Sequence, residues 1–344
     1  MNQAYSSPPS PAPALATRIT RLFGIRYPVL LGGMMWLSDA TLVAAAVNAG
    51  AMGFITARSS PDAAAFRDQL RKCRELTGGK PFGVNLTLSR RQGANDLMGQ
   101  MLQVALEEGV RFFETAGLPP VSLLPAMREA GAVVMHKCAH IRHAQAAERL
   151  GVDAVTLVGM EEGGHPGSNL LPTFVNGAFA LDRLSIPLAL GGGIGHGRQI
   201  AAALAMGADA VVMGSRFTTA AETPAHPAYK QRVAEADEHC SRTVLSSLGD
   251  TWRVLDNENA RRVAQLEQQG ARSYEDFGDL IKGYRARDYA YAQGLHEEGM
   301  LSLGPAAGFS RAVEPFAETL QALMWQCREA LLRAASLAGM REVD

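Results

Sequence analysis

The sequence predicts a (β/α)8 barrel, an α/β fold of the TIM type, with an inserted helical cap near the C-terminus. Three observations carry this. Eight short apolar runs recur along the chain at the pitch of a βα unit. Each run is apolar at nearly every position, as a strand covered on both faces must be. The helix-like stretches between them stop at glycine, the residue that suits the left-handed position closing a helix. An open, doubly wound sheet is the alternative. Eight evenly spaced strands favour closure, because an open sheet leaves edges to protect.

The runs are Pro28–Gly32, Met52–Thr56, Pro81–Leu86, Arg111–Thr115, Ala132–His136, Ala154–Val158, Pro187–Gly191 and Ala210–Gly214. Helical stretches are expected at Asp39–Asn48, Asp62–Leu76, Leu97–Glu108, Ile141–Leu150 and Arg198–Met206, followed by Gly50, Gly78, Gly109, Gly151 and Gly207. After Arg216 the alternation stops. Residues 226–299 are charged and read as a helical cap over the barrel mouth. The amphipathic stretch Pro315–Ala338 is expected to supply the closing helix. Residues 1–16, rich in Pro, Ser and Ala, are expected to form a flexible tail. The barrel then occupies 17–225 and the closing segment 300–344.

Composition limits the function classes. The 344 residues are 47% apolar, enough for a full core without disulfides or a structural metal. Lys+Arg 33 against Asp+Glu 34 gives a net charge of -1, which argues against a nucleic-acid surface. The 4 cysteines, Cys73, Cys138, Cys240 and Cys327, form no CxxC pair. No apolar stretch is long enough to span a membrane, and the first residues lack the pattern of a secretory signal. A cytoplasmic protein is expected, acting as a monomer or homodimer on small molecules.

Barrel enzymes place their chemistry at the C-terminal ends of the strands. The seventh and eighth runs end in Gly191-Gly192-Gly193 and Met213-Gly214-Ser215. Glycine admits an anion close to the backbone, and exposed amides there favour phosphate. Gly192, Gly193, Gly214 and Ser215 are therefore expected to hold a phosphate, belonging to a substrate or to FMN. The other strand ends favour FMN. Gly33 and Met34 offer a small backbone and a soft side chain to a flat ring. Asn85 offers a donor and an acceptor to a pyrimidine edge. Lys137 offers positive charge to a reduced flavin, or else an ion pair with Glu114.

His165 is the candidate proton carrier. It sits in the glycine turn Gly163-Gly164-His165-Pro166-Gly167 after the sixth run, and imidazole exchanges protons near neutral pH. His136, Cys138, His140 and His143 are close in sequence, but no carboxylate completes a ligand set and no metal is expected. His196 reads as the cap of the next helix and His226 as loop structure. A barrel enzyme without flavin, using Lys137 as a Schiff-base lysine, is the alternative of a different class.

Taken together, PVLLGGMMW (28–36), PFGVNLTL (81–88), ETAG (114–117), HKC (136–138), GGHPG (163–167), Gly191–Gly193 and MGSRF (213–217) resemble the nitronate monooxygenase family. The resemblance implies non-covalent FMN held by Gly33, Met34, Asn85, Lys137, Gly164, Gly192, Gly193, Gly214 and Ser215. It implies that His165 handles the α-proton of the substrate. The reaction implied is oxidation of an alkyl nitronate with O2 to a carbonyl compound and nitrite. The same stretches resemble NAD(P)H:quinone reductases and flavin-type enoyl-acyl-carrier-protein reductases. Glu162, where the family has a small residue, and Pro305, where glutamine is common, depart from the pattern.

Overall fold

In a computed structural model, which describes residues 11–90 and 93–340, eight parallel strands close into a barrel. They are β1 (Val29–Leu31), β2 (Met52–Thr56), β3 (Gly83–Leu88), β4 (Phe112–Gly117), β5 (Val133–Cys138), β6 (Ala154–Val158), β7 (Leu188–Gly191) and β8 (Ala210–Met213). Closure is made by β8 pairing with β1 in the register Val29↔Val211, Leu30↔Val212 and Leu31↔Met213. Each strand lies within one of the eight predicted runs or extends it by a few residues. β4 and β5 run two residues further than expected, so Ala116 and Lys137 still pair across the sheet.

Alternate strand residues point inward. Leu30, Met52, Phe54, Met135, Ala154, Ala189, Ala210 and Val212 fill the barrel, and Ile19 and Phe23 join them. The last two lie on α1 (Arg18–Phe23), whose Thr17 and Thr20 form a reciprocal N-terminal cap. This helix therefore plugs the barrel at the end opposite the strand C-termini. Polar residues cannot be tolerated in that packed layer unless paired. The next inward positions, Asn85, Glu114 and Lys137, do change to polar, and the mouth begins there.

The outer layer comprises α2 (Ala40–Asn48), α3 (Ala63–Leu76), α4 (Ala94–Glu107), α5 (Leu124–Glu129), α6 (Ile141–Leu150), α7 (Thr173–Leu181) and α8 (Gly197–Met206). Asp39 and Asp62 cap α2 and α3 through their carboxylates. The five glycines expected to stop helices all adopt left-handed φ. Two short helices, α5 and α7, are additional to the sequence expectation. The last barrel helix, α12 (Phe316–Leu337), lies where the sequence placed it. It packs so closely on α8 that a Cβ on Gly197 would sit 2.3 Å from the Leu323 carbonyl oxygen.

Two expectations need correction. Residues 1–10 lie outside the described residues, but 11–16 are not a loose tail. Ala12 is buried, its amide donates to Gln321 on α12 at 2.9 Å, and its carbonyl accepts from the Tyr27 hydroxyl at 2.7 Å. The cap is not wholly helical either. Besides α9 (Pro227–Ala234), α10 (Glu258–Gln268), α11 (Tyr274–Phe277) and a π-helical stretch at Arg285–Tyr291, it contains an antiparallel hairpin. The hairpin pairs β9 (Ser241–Val244) with β10 (Trp252–Leu255). Its apolar side joins Ala260, Val263, Phe277 and Met300 in a small core of the cap's own. A second cluster, including Leu37, Tyr229, Leu255, Tyr291, Leu301 and Leu303, fixes the cap to the barrel rim. No helix among the described residues is long and apolar enough to cross a membrane.

Candidate active site

The floor of the mouth is an ion-paired network. Glu114 on β4 has a fully buried side chain. One of its oxygens accepts from the Gly33 amide at 3.1 Å and from the Asn85 side-chain amide, and lies 3.6 Å from Lys137 Nζ. A buried carboxylate left unpaired would cost several kcal/mol, on the order of 3–5 when one partner of such a pair is removed. Burial pushes the Lys137 ammonium down, but Glu114 and Glu162 outweigh it and raise the group. The sequence treated the Lys137–Glu114 pair as an alternative to a ligand role. The pair forms, and Lys137 keeps 17% of its side chain exposed toward the mouth. The other Glu114 oxygen is buried without a partner.

This network changes the role expected of two residues. A Cβ on Gly33 would lie 2.4 Å from that of Asn85, so glycine is needed there for packing. Its amide is already given to Glu114. Asn85 likewise donates to Glu114 and accepts from the Thr87 hydroxyl at 3.0 Å. It retains one N–H and one lone pair for any ligand.

Gly192 and Gly193 have φ of 97° and 72°, in the left-handed region that glycine alone enters without strain. They face the loop after β6, where a Cβ on Gly193 would come 3.0 Å from that of Glu161. The Glu161 carboxylate is occupied by the amide and hydroxyl of Thr173, both at 2.9 Å. Gly214 has ordinary φ but lies under Met34, whose sulfur would be 3.2 Å from an added Cβ. The 3₁₀ turn Ser215–Phe217 follows. Its first internal hydrogen bond runs from the Phe217 amide to the Gly214 carbonyl, so the Ser215 and Arg216 amides precede it without a partner inside the turn. Ser215 Oγ accepts from the Gly304 amide at 2.8 Å, which leaves its proton free to donate. Beside it the Arg216 Nε is buried with no acceptor.

His165 stands at the rim, half exposed, in a setting not expected from sequence. Gly164 forms a two-way bridge to Arg253 of β10, N–H to O at 3.0 Å and O to N–H at 2.7 Å. The cap hairpin thereby grips the turn that carries the histidine. The imidazole stacks on Trp252, with centroids 5.0 Å apart and planes at 24°. Its Nδ1 lies 3.0 Å from Asp250 Oδ1, and the Tyr274 hydroxyl donates to Asp250 Oδ2 at 2.8 Å. The bond with His165 is the main reason the Asp250 carboxyl is held below its ordinary range, burial opposing it. Glu162, two residues from Gly164, behaves in the opposite way. Burial raises it to about 7, although Lys137 pulls against that.

The remaining histidines take structural places. His136 faces the helices and bonds to Thr115 Oγ1 at 2.9 Å. His140 packs edge-on against His143. His196 and His226 cap α8 and α9. No group of three or more metal-ligating side chains occurs among the described residues. Asp250, Trp252 and Tyr274 are the site residues that the sequence reading missed. None lies in a motif, and only the folding back of the hairpin brings them to His165.

A closed parallel barrel with its polar groups gathered at one mouth defines an enzyme scaffold of the TIM type. The profile of the nitronate monooxygenase family matches residues 16–325, and the chain belongs to that family of oxidoreductases. It is 36% identical over 253 residues to a 5-hydroxy-7a-methyl-1-oxo-octahydro-1H-indene-4-carboxyl-CoA dehydrogenase of Mycobacterium tuberculosis, covering 72% of this chain and 68% of that protein. It is 29% identical over 356 residues to a nitronate monooxygenase of Pseudomonas aeruginosa, covering 91% of this chain and 100% of that protein. Among solved structures, FabK from Thermotoga maritima superposes with a TM-score of 0.85 at 31% identity, over 94% of this chain and 99% of that one. A nitroalkane oxidase from Streptomyces ansochromogenes superposes with a TM-score of 0.79 at 25% identity, over 92% and 99%.

Proposed function

We propose that the chain is an FMN-dependent nitronate monooxygenase, oxidising alkyl nitronates with O2 to a carbonyl compound and nitrite. The observation that carries this is the convergence at one mouth of the glycine turns after β7 and β8, the ion-paired Lys137 and the rim imidazole of His165. The residues present suit FMN. The buried Arg216 Nε lacks an acceptor, and the Ser215 and Arg216 amides have no partner within their turn. With Gly192, Gly193, Gly214 and Ser215 they would receive the phosphate. Met34, Asn85 and Lys137 would lie along the ring, with Gly33 shaping the floor. Gly164 would let it approach, since a Cβ there would meet open space. FMN would supply the electron acceptor that the side chains lack.

The protein's own part is to bind, orient and move a proton. Lys137, kept charged by its carboxylates, would attract an anionic substrate. His165 would handle the substrate's α-proton and, for a neutral nitroalkane, would be the base that takes it. The match to the Pseudomonas nitronate monooxygenase extends through the cap, which supports this reading. A second reading rests on the 36% identity to the CoA dehydrogenases: a C–H bond acidified by a thioester carbonyl in place of a nitro group.

Anaerobic mixing of the FMN-loaded enzyme with a nitronate, a CoA thioester or NADH tests this. Nitronate should bleach the flavin fastest, and His165→Ala should keep FMN while losing turnover of the neutral nitroalkane by about 10²-fold. Fast bleaching by NADH with none by nitronate would contradict the proposal. Fast bleaching by the thioester alone would select the second reading.

A further inference from the structure

Asp250 belongs to none of the motifs that mark the family in this sequence, yet it is the only carboxylate hydrogen-bonded to His165 among the described residues. It follows directly on the tight turn of the cap hairpin, where the short 3₁₀ stretch Ser246–Leu248 is closed by Gly249. Three independent contacts fix the geometry. The bridge between Gly164 and Arg253 sets the backbone of the histidine turn. The indole of Trp252, itself tethered to Ser302 Oγ at 2.9 Å, sets the plane of the ring. The Tyr274 hydroxyl sets the rotation of the carboxylate.

We propose that Asp250 is a positioning residue: it holds His165 in the Nδ1–H form, so that Nε2 is the free, basic nitrogen turned toward the substrate. The assignment rests on the role given to His165 above. The chemistry balances without a further reagent. For a neutral nitroalkane or a CoA thioester, whose α C–H bond is still intact, that bond breaks heterolytically, the proton passes to Nε2, and the electron pair remains on carbon, delocalised into the nitro or carbonyl oxygen. The imidazolium so formed faces the Asp250 carboxylate, whose second oxygen stays bound to Tyr274. This is the division of labour between an orienting carboxylate and a histidine base. The cap is then part of the proton-transfer machinery, not merely a cover. Charged and titratable groups around the ring are Asp250 and Tyr274 from the cap and Glu162 from its own loop. The Arg253 guanidinium points away, to the Met160 carbonyl and Ser241.

The test uses FMN-loaded full-length enzyme with ¹⁵N-labelled histidine, the His165 signals being assigned by their absence in His165→Ala. Long-range ¹⁵N NMR of the neutral imidazole should show His165 protonated on Nδ1. In Asp250→Asn the Nδ1–H form should lose its dominance. The same variant should lower kcat/KM for a neutral nitroalkane by 10-fold or more while leaving FMN bound. Asp250→Glu should recover part of the loss, and Tyr274→Phe should cost less than Asp250→Asn. The same tautomer in wild type and Asp250→Asn, with kcat/KM for the neutral nitroalkane unchanged, would overturn the inference. Separately, a tautomer shift in an enzyme that turns over neither nitronate nor thioester would leave the dyad standing and sink the proposed function.

Discussion

His136 and His165 show how one residue type meets opposite surroundings in a barrel: one is buried, the other half exposed at the rim. His136 points outward from β5, is 2% exposed and is bonded to Thr115. Burial first, and then the positive charges of His143 and Lys137, push it down to about 4 from an ordinary 6.5. The unfolded chain takes up a proton below about 6.5 that the folded chain refuses until about 4. The stability contributed by this site is therefore complete above pH 6.5 and is lost as pH falls toward 4, by an amount on the order of 3 kcal/mol. Urea unfolding across that range should show a steeper decline for wild type than for His136→Gln. Parallel curves would show that His136 is not the group responsible. His165 drew attention in the sequence because a glycine turn after a strand end is a local signal. Its partners did not, because Asp250, Trp252 and Tyr274 reach it only through tertiary contacts.

Elements were legible in proportion to how fully they are buried. A strand covered by barrel core on one face and helices on the other must be apolar throughout, so all eight runs stood out. The hairpin of β9 and β10 did not. SRTV and WRVL are short and half polar, since only one face meets the cap core, and they are flanked by charged helical stretches. α5, of 6 residues, is too short for a clear period, and α7, TFVNGAFAL, is apolar nearly all round with a glycine inside it. The turns after β7 and β8 carry the glycines to which the sequence reading assigned a phosphate. At Gly192 a Cβ would meet Thr173 Oγ1 at 2.8 Å and the Glu162 amide nitrogen at 3.1 Å, and φ is left-handed. Gly192→Val is therefore expected to weaken FMN retention on gel filtration at least 10-fold relative to wild type. A variant that elutes with full flavin occupancy would remove Gly192 from the seat.

At the scale of the whole molecule, chain segments far apart in sequence meet at the two ends of the barrel. The N-terminal segment docks on α12 through Ala12, Tyr27 and Gln321, while α1 plugs the interior below. At the other end the cap is anchored beside β1 and leans its hairpin on the turn after β6. The mouth is thus a composite: the barrel contributes the glycine rims and the Glu114–Lys137 floor, and the cap contributes the groups around His165. The central claim is that a flavin lies in this composite, its phosphate on the turns after β7 and β8 and its ring between Lys137 and His165. A crystal structure of the FMN-loaded protein tests it most directly. The account predicts phosphate density within hydrogen-bond distance of the Gly193 and Ser215 amides, with the imidazole of His165 over the open face of the ring. Flavin density elsewhere, or a His165 side chain directed away from the ring, would contradict it.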